Sequence, residues 1–325
     1  MSPLVQGAIT IIIGVGGCIG YFYFANMLLD KVIFPARGND AGRNINRANQ
    51  VRPWLFLFPA IFALGLYLVY PVVGSFLRSL YNRAGDEFIG FGNYANLIAD
   101  EGFRTAFFNN FLWVLVVPAM ATFLGLLVAQ LTDRLSWGNI AKSLIFMPMA
   151  ISFVGASLIW KFVYANDPDI GIINAVRASM GMESLDPLQI PFWNNFFLMV
   201  ILIWIQTGFA MVILSAALRG IPEETVEAAI IDGANPFQVF FKIKVPQIMG
   251  TIVVVWTTIT ILVLKVFDIV YTMTGGNFGT DILPSYMMSF MFRDDGRATA
   301  VAFVIMLVVL PVMIWNIVQA RKEMR

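Results

Sequence analysis

The chain has 325 residues, 59% of them hydrophobic and only 13% charged, with a mean hydropathy of +0.77. Soluble domains are roughly 45–50% apolar and roughly 25% charged, so the balance points to an all-α membrane protein rather than a soluble fold. The net charge of +1 argues against a nucleic-acid partner. The single Cys18 excludes an intramolecular disulfide framework and a Cys-cluster metal site, and the lack of histidine removes the commonest general base and transition-metal ligand.

Seven apolar segments are long enough to cross a hydrocarbon core of about 30 Å at about 1.5 Å per residue. They predict a polytopic transmembrane helix bundle with spans over 4–29, 54–81, 106–131, 143–164, 196–218, 249–271 and 298–320. The first carries no charge before Asp30 and is too long for a signal segment, so it is read as a retained span. Gly16 and Gly20 within it form a small-xxx-small pair that predicts close helix contact. The glycine cluster there is no phosphate loop, because no Lys-Ser/Thr follows it.

Charge asymmetry orients the spans. One side carries Lys31, Arg37, Arg43, Arg47 and Arg52, then Arg134 and Lys142, then Arg219, Lys242 and Lys244, then Arg321, Lys322 and Arg325. The other holds fewer bases, Arg83, Arg104, Arg177, Arg293 and Arg297, among many acids. The expected topology has the N-terminus outside and the C-terminus in the cytoplasm. The outer loops contain three local features. Phe88 to Tyr94 pairs aromatics with turn residues and suits a lid or interfacial element, 171–182 reads as a short amphipathic helix, and Gly275-Gly276-Asn277 reads as a tight turn.

The most informative stretch is the polar loop 219–246, on the basic side between the fifth and sixth spans. Pro222 and the acids Glu223 and Glu224 suit a helix start. A helix over 225–232 then ends at Gly233, and Asn235-Pro236 begins a second segment with Phe237, Val239, Phe240, Phe241 and Ile243 on it. Two short helices joined at an elbow make a rigid knob. An amphipathic pair lying on the lipid surface is the alternative that composition leaves open.

The order Glu227-Ala228-Ala229, three residues, Gly233, nine residues, Ile243-Lys244-Val245-Pro246 resembles the EAA motif of permease subunits of binding-protein-dependent ABC importers. Val245 stands where that family usually has Leu. From Trp54 onward the chain is similar to the maltose-type sugar permeases, through FIGFGNY, Gly171-Ile172-Ile173-Asn174, Ile221-Pro222, Asp232-Gly233-Ala234 and Phe267-Asp268…Thr274-Gly275-Gly276. The resemblance implies a type I ABC importer permease domain over 53–325, preceded by an extra span and basic loop over 1–52. It implies a coupling loop in which Glu227 makes a charged contact to an ATPase. Ala228 and Ala229 permit close approach, Gly233 forms the elbow, and Asp232, Ile243 and Pro246 complete the motif.

The implied partners are a dimer of ATP-binding ATPase subunits, a second homologous permease, an extracytoplasmic solute-binding protein and the lipid bilayer of a bacterial inner membrane. The chain has no GxxxxGK[ST] loop, so ATP and Mg are expected at the ATPase, with no cofactor on this chain and no catalytic role for it. Polar and aromatic residues inside apolar helices mark a candidate substrate pathway at Trp204, Gln206 and Phe209 on the fifth span and Trp256 and Thr260 on the sixth. In the resembling family the fifth-span positions touch sugar. Gln206 replaces a glycine often found there, and the sixth span lacks the family's asparagines. Lys265 and Asp268 are spaced for a local i,i+3 ion pair. Two other readings are an ABC permease for a non-sugar solute such as glycerol phosphate or a polyamine, and an ion-driven secondary transporter.

Overall fold

The structure is a computed structural model that describes residues 3–36, 40–133 and 135–323. Arg37, Arg134 and Arg325, used above to orient the spans, lie outside the described residues. The chain divides into two compact units, 1–74 and 75–325.

The first unit contains α1 (Pro3–Leu28), extended by a π turn over Leu29–Ile33, and α2 (Ala41–Leu64), followed by a π turn over Gly65–Val69. The two helices are joined by a few polar contacts. Arg52 Nη2 donates to Asp30 Oδ1 at 2.6 Å, Tyr21 Oη donates to the Leu55 carbonyl at 2.7 Å, and Asn44 Nδ2 donates to the Pro35 carbonyl at 3.0 Å. Ala25, Leu29 and Ala48 are buried and Phe22 meets Phe56 edge-on, but most apolar side chains of this unit are outward, as expected of helices facing lipid rather than a core. The close contact predicted at Gly16 and Gly20 is not made within the chain: a Cβ at either position would meet nothing within 4 Å.

The boundary falls within α3 (Tyr70–Ser79), and the second unit is built on the end of that helix, α4 (Gly92–Ala99), α5 (Glu101–Thr132), α6 (Gly138–Phe146), α7 (Phe153–Tyr164), α8 (Ile172–Ser179) and α9 (Trp193–Arg219). It continues with α10 (Glu223–Ile231), α11 (Pro236–Gln238), a π turn over Val239–Lys244, α12 (Val245–Gln247), α13 (Met249–Val263), α14 (Asp268–Met273), α15 (Leu283–Phe290) and α16 (Asp295–Glu323). α9 is its axis: 67% of its most apolar window is buried, against 12% for α16. Leu198, Met199, Ile201, Leu202, Ile205, Met211 and Leu214 fill the core with Trp113 of α5 and Ile259 of α13. Small residues let the backbones approach. A Cβ on Gly125 would fall 2.5 Å from Ala210 Cβ, and one on Gly208 would fall 2.6 Å from the Ile145 carbonyl oxygen. The glycine-mediated packing expected in the first span is thus found here instead.

Among the described residues, five helices are long and apolar enough to cross a membrane, and the number rises to seven if each of two bent pairs is one span. The first bend and a separate interruption correct two continuous spans predicted above, while the second bend, of 71°, lies between Pro236–Gln247 and Met249–Val263 at the entry to α13. The fourth, over 143–164, is broken between Ala150 and Phe153 with a 106° change of direction. Pro148 tightens the chain into a 3₁₀ turn, Ile151 is extended, and Ser152 restarts the helix by accepting from the Gly155 amide at 3.1 Å. The sixth, over 249–271, ends at Val263 and resumes only as α14. Neither Gly nor Pro marks that break, and periodicity carried the prediction through it. Lys265 is exposed in the gap, and among the described residues no ion pair joins it to Asp268.

The motifs in the loops expected on the outer side are scaffolds. Asn93 of FIGFGNY is buried and donates to the carbonyls of Ser79 and Tyr81, both at 2.8 Å, so the segment is pinned rather than a free lid. Asn174 donates to the Ala165 and Leu185 carbonyls and accepts from the Leu185 amide, closing the loop around α8. Gly275 and Gly276 adopt positive φ, as the predicted tight turn requires.

Gly208→Val inserts branched carbons against the α6 backbone, and overpacking of that kind costs about 1–3 kcal/mol or more. We expect a lowered midpoint in thermal melts of the detergent-solubilised chain, whereas Gly16→Val leaves it within error. Equal midpoints for the two variants would contradict the packing described.

Candidate functional site

The loop between α9 and α13 folds as a fixed elbow because its local chemistry caps each turn. Glu223 and Glu224 occupy the first turn of α10, where carboxylates meet the positive end of the helix. The helix stops at Gly233, whose φ is +83°, and the Ala234 amide reaches back to the Ala229 carbonyl at 2.9 Å. This is the paired closure that a left-handed glycine permits. The chain then restarts at once. Gln238 N donates to Asn235 Oδ1 and Asn235 N donates to Gln238 Oε1, both at 2.9 Å, a reciprocal capping box.

Glu227, Ala228, Asp232, Gly233 and Pro246 are exposed, and Ile243 is half-buried. Ala229 is turned inward, so only Ala228 of the alanine pair offers a slim outer surface. Two apolar side chains flanking the elbow, Ile231 at 84% exposure and Phe237 at 76%, project into the surroundings. Ile231 was not singled out from the sequence; its signal is a large aliphatic residue in the last turn of a polar helix.

Both roots of the loop are fixed to the end of α5. Arg219 Nε, at the first root, donates to Asp133 Oδ1 at 2.7 Å. Lys142 Nζ donates to the same oxygen at 3.3 Å and to Ser215 Oγ at 2.5 Å. Lys244 Nζ, at the second root, lies 3.5 Å from Gln130 Oε1. Burial pushes the Asp133 carboxyl up, but the hydrogen bonds and charges of Arg219 and Lys142 outweigh it and hold the group below the ordinary Asp value of 3.8. No feature of the sequence marked Asp133.

A cavity of about 400 Å³ lies where the broken fourth span meets α9 and the broken sixth span. Its walls are Met149, Ile151, Ser152, Phe153, Val154, Ile205, Gln206, Leu262 and Asp268. Of the five residues expected along a substrate pathway, the structure brings Gln206 to this cavity. Trp204 packs edge-on against Trp160 with ring centroids 5.8 Å apart, and Phe209 packs against the core. Thr260 donates its hydroxyl proton to the Trp256 carbonyl of its own helix, and neither residue lines the cavity. Gln206 is 4% exposed, and its side chain makes no hydrogen bond with another described residue.

At the opposite end of α5 and α9, an amide cluster holds the α14–α15 connection. Asn109 Nδ2 donates to the carbonyls of Gly279 and Asp281, and Asn194 Nδ2 donates to the Phe278 carbonyl, all at 2.8 Å. Trp113 Nε1 donates to Asn195 Oδ1 at 3.2 Å. These asparagines too were missed. For Asn109 the available sign was a polar residue inside the span predicted over 106–131; Asn194 and Asn195 precede the span predicted over 196–218.

A helical bundle with broken spans, an open cavity beside them and a capped polar elbow fits a membrane permease. Comparison with known proteins narrows the class. Residues 121–324, more than half the chain, match the family described as "Binding-protein-dependent transport system inner membrane component". The chain belongs to that family, and is a multi-pass inner-membrane protein with the type I permease fold. It is 60% identical to the alpha-glucoside transport system permease protein AglF of Rhizobium meliloti over 99% of each chain. It is 47% identical to the osmoprotective compounds uptake permease protein GgtC of Synechocystis, over 81% of this chain and 96% of that one. Among solved structures, a chain of a bacterial alginate ABC transporter in complex with an alginate pentasaccharide-bound periplasmic protein superposes with a TM-score of 0.72 at 20% identity, covering 88% of this chain and 98% of that one.

Asp133 gives a test with a definite sign. A carboxyl with a lowered folded pKa stabilises above its unfolded value, near 3.8, and that contribution is lost as pH falls through the lowered folded value. Asp133→Asn is expected to lower the thermal midpoint at pH 7 by the equivalent of about 1 kcal/mol or less, because the groups are partly exposed. The difference from wild type should shrink as pH falls below about 3.8. A deficit that stays constant down to pH 3 would remove the ion pairs as its cause.

Proposed function

We propose that this chain is the transmembrane subunit of an ATP-driven importer for a glucoside or oligosaccharide delivered by an external binding protein. The observation that carries this reading is the exposed elbow around Gly233, rigid by its own capping and rooted through Arg219 and Lys244 on α5. In this reading the elbow docks in a cleft of an ATPase subunit. Glu227 supplies the charged contact, Ala228 allows close approach, and Ile231 and Phe237 are covered by the partner. Asp232, Ile243 and Pro246 hold the shape of the loop. Closure of the ATPase pair moves the elbow, and the attached helices tilt as rigid bodies to exchange outward for inward access. ATP and Mg are bound by the ATPase, a second homologous permease completes the pathway, and no cofactor is assigned to this chain.

The sugar is supported by the name of the AglF relative and by the cavity, whose amide and apolar walls suit a polyhydroxylated ring. We place the N-terminus outside and the C-terminus and elbow in the cytoplasm, on the charge asymmetry of the loops. The pathway runs past Gln206 along α9 and α13, with Trp204, Phe209, Trp256 and Thr260 on its walls as those helices tilt. An osmoprotective solute is the second reading, supported by the GgtC relative.

Vesicle transport tests the proposal. In a complex reconstituted with its ATPase and binding protein, Glu227→Lys and Gly233→Pro are expected to cut ATP-dependent uptake at least ten-fold while the chain still inserts. Proline cannot adopt the φ of +83° found at Gly233. Native uptake by both variants, or uptake driven by an ion gradient through this chain alone, would overturn it. Trp204→Ala and Gln206→Ala are expected to lower uptake or change solute preference; no effect from either would move the pathway elsewhere.

A further inference from the structure

We propose that Asp268 sets the charge class of the solute, so that the cavity between α7, α9 and the broken sixth span admits uncharged, hydroxyl-rich molecules and rejects anionic ones. The inference rests on reading that cavity as part of the sugar pathway, and it adds a residue that the pathway assignment above does not contain.

Asp268 is half-buried and lines the cavity. Among the described residues its carboxylate takes part in no ion pair, and no side-chain or backbone group donates to it. The nearest basic residue in sequence, Lys265, is exposed and unpaired with it. A carboxylate within a membrane bundle is costly, and one retained for structure is normally paired. The break after Val263 is what gives Asp268 this position, because it ends α13 and starts a new helix at the cavity wall.

Two further polar groups share the cavity. Gln206 is 4% exposed, and its side-chain amide, which has no hydrogen-bond partner among the described residues, keeps access to the cavity and can bond a guest there. Ser152 Oγ accepts from the Gly155 amide, which leaves its own proton free to donate. Ile151, Phe153 and Leu262 make the remaining wall apolar. The set therefore holds one acceptor-only anion, one group that both donates and accepts, and one hydroxyl donor. A sugar hydroxyl can donate to Asp268 while others pair with Gln206 and Ser152, and the C–H face of the ring lies against Phe153. A solute carboxylate would stand beside Asp268 as a like charge at close range, where two unit charges repel.

The test uses the purified complex of this chain with its ATPase and partner permease, in detergent. Maltose and its singly anionic counterpart maltobionate serve as probes, and saturation-transfer NMR reads their weak binding. Wild type is expected to give a maltose signal and at most one-tenth of it for maltobionate. Asp268→Asn and Asp268→Ser are both expected to raise the maltobionate-to-maltose ratio at least five-fold, while Asp268→Glu keeps it low. A ratio unchanged in both neutral variants overturns the inference, as does loss of both signals from variants that assemble and melt like wild type. The two readings fail differently. No maltose signal in wild type removes the sugar reading of the cavity, and this inference with it. A maltose signal abolished by Gln206→Ala, with a ratio indifferent to Asp268, removes the charge filter alone.

Discussion

The close packing of α5 against α9 is the constraint on which the second unit depends. It requires Gly125 and Ala210 to stand with almost no side chain between the two backbones. Hydrophobic burial gives little drive for association between helices inside a bilayer, so contact at backbone distance and buried hydrogen bonds carry more of the load. The pair has both. Trp113 and the leucines of α9 supply the packing, and the Asn109–Asn195 cluster and the Asp133 ion pairs close the two ends. α9 runs unbroken over 27 residues, about 40 Å, and carries Asn194 near its start, Gln206 near its middle and Arg219 at its end. A displacement at Arg219 is therefore felt along the whole rod.

The neighbours of that rod are interrupted, and the interruptions have a common consequence. A membrane helix keeps its backbone hydrogen bonds internal, so a break within it is tolerated only where protein or a polar cavity meets the freed groups. Ser152 caps one break, and the cavity with Gln206 and Asp268 lies against both. The polar content of this cavity is small in number but placed where backbone irregularity already lowers the cost of admitting a polar guest. Asp281 shows the contrasting case in the α14–α15 connection. Burial raises its carboxyl above the ordinary value, against a hydrogen bond from Ser285, and the amide cluster around it is satisfied from within the chain.

Much of this was legible from the sequence, for physical reasons that differ from place to place. Long apolar runs without internal breakers, such as 196–218, gave their helices directly, since only a helix satisfies the backbone in lipid. The elbow was legible because Pro222, Gly233 and Asn235-Pro236 have local conformational preferences that need no tertiary partner. The break after Val263 was hidden because it involves only apolar residues and Lys265, with no glycine or proline to announce it. Asp133 and the asparagines 109, 194 and 195 were hidden for another reason. Apart from the Asp133–Lys142 pair, their cross-helix partners are 80 or more residues away, as in the pairs Asn109–Gly279 and Asp133–Arg219, and a single sequence does not carry that pairing. Gly16 and Gly20 show the reverse error. Their spacing permits close packing, but spacing alone does not supply the second helix.

The elbow also shows why local rigidity and exposed apolar surface belong together under the proposed function. A loop that only tethered two spans would gain nothing from a left-handed glycine closure followed immediately by a capping box. Those devices remove conformational freedom in advance, so less is lost when a partner binds. Ile231 and Phe237, largely exposed on either side of Gly233, then offer apolar area whose removal from water is worth roughly 25 cal/mol per Å². Glu227, exposed and four residues before Ile231 on α10, favours a partner of opposite charge and adds direction to what apolar contact alone would leave unspecific. A lipid surface would use the apolar pair equally well but would have no use for a fixed angle between the two segments. The ties from Arg219 and Lys244 to α5 matter only if force is to pass through that angle, and this is the argument for a protein partner that moves.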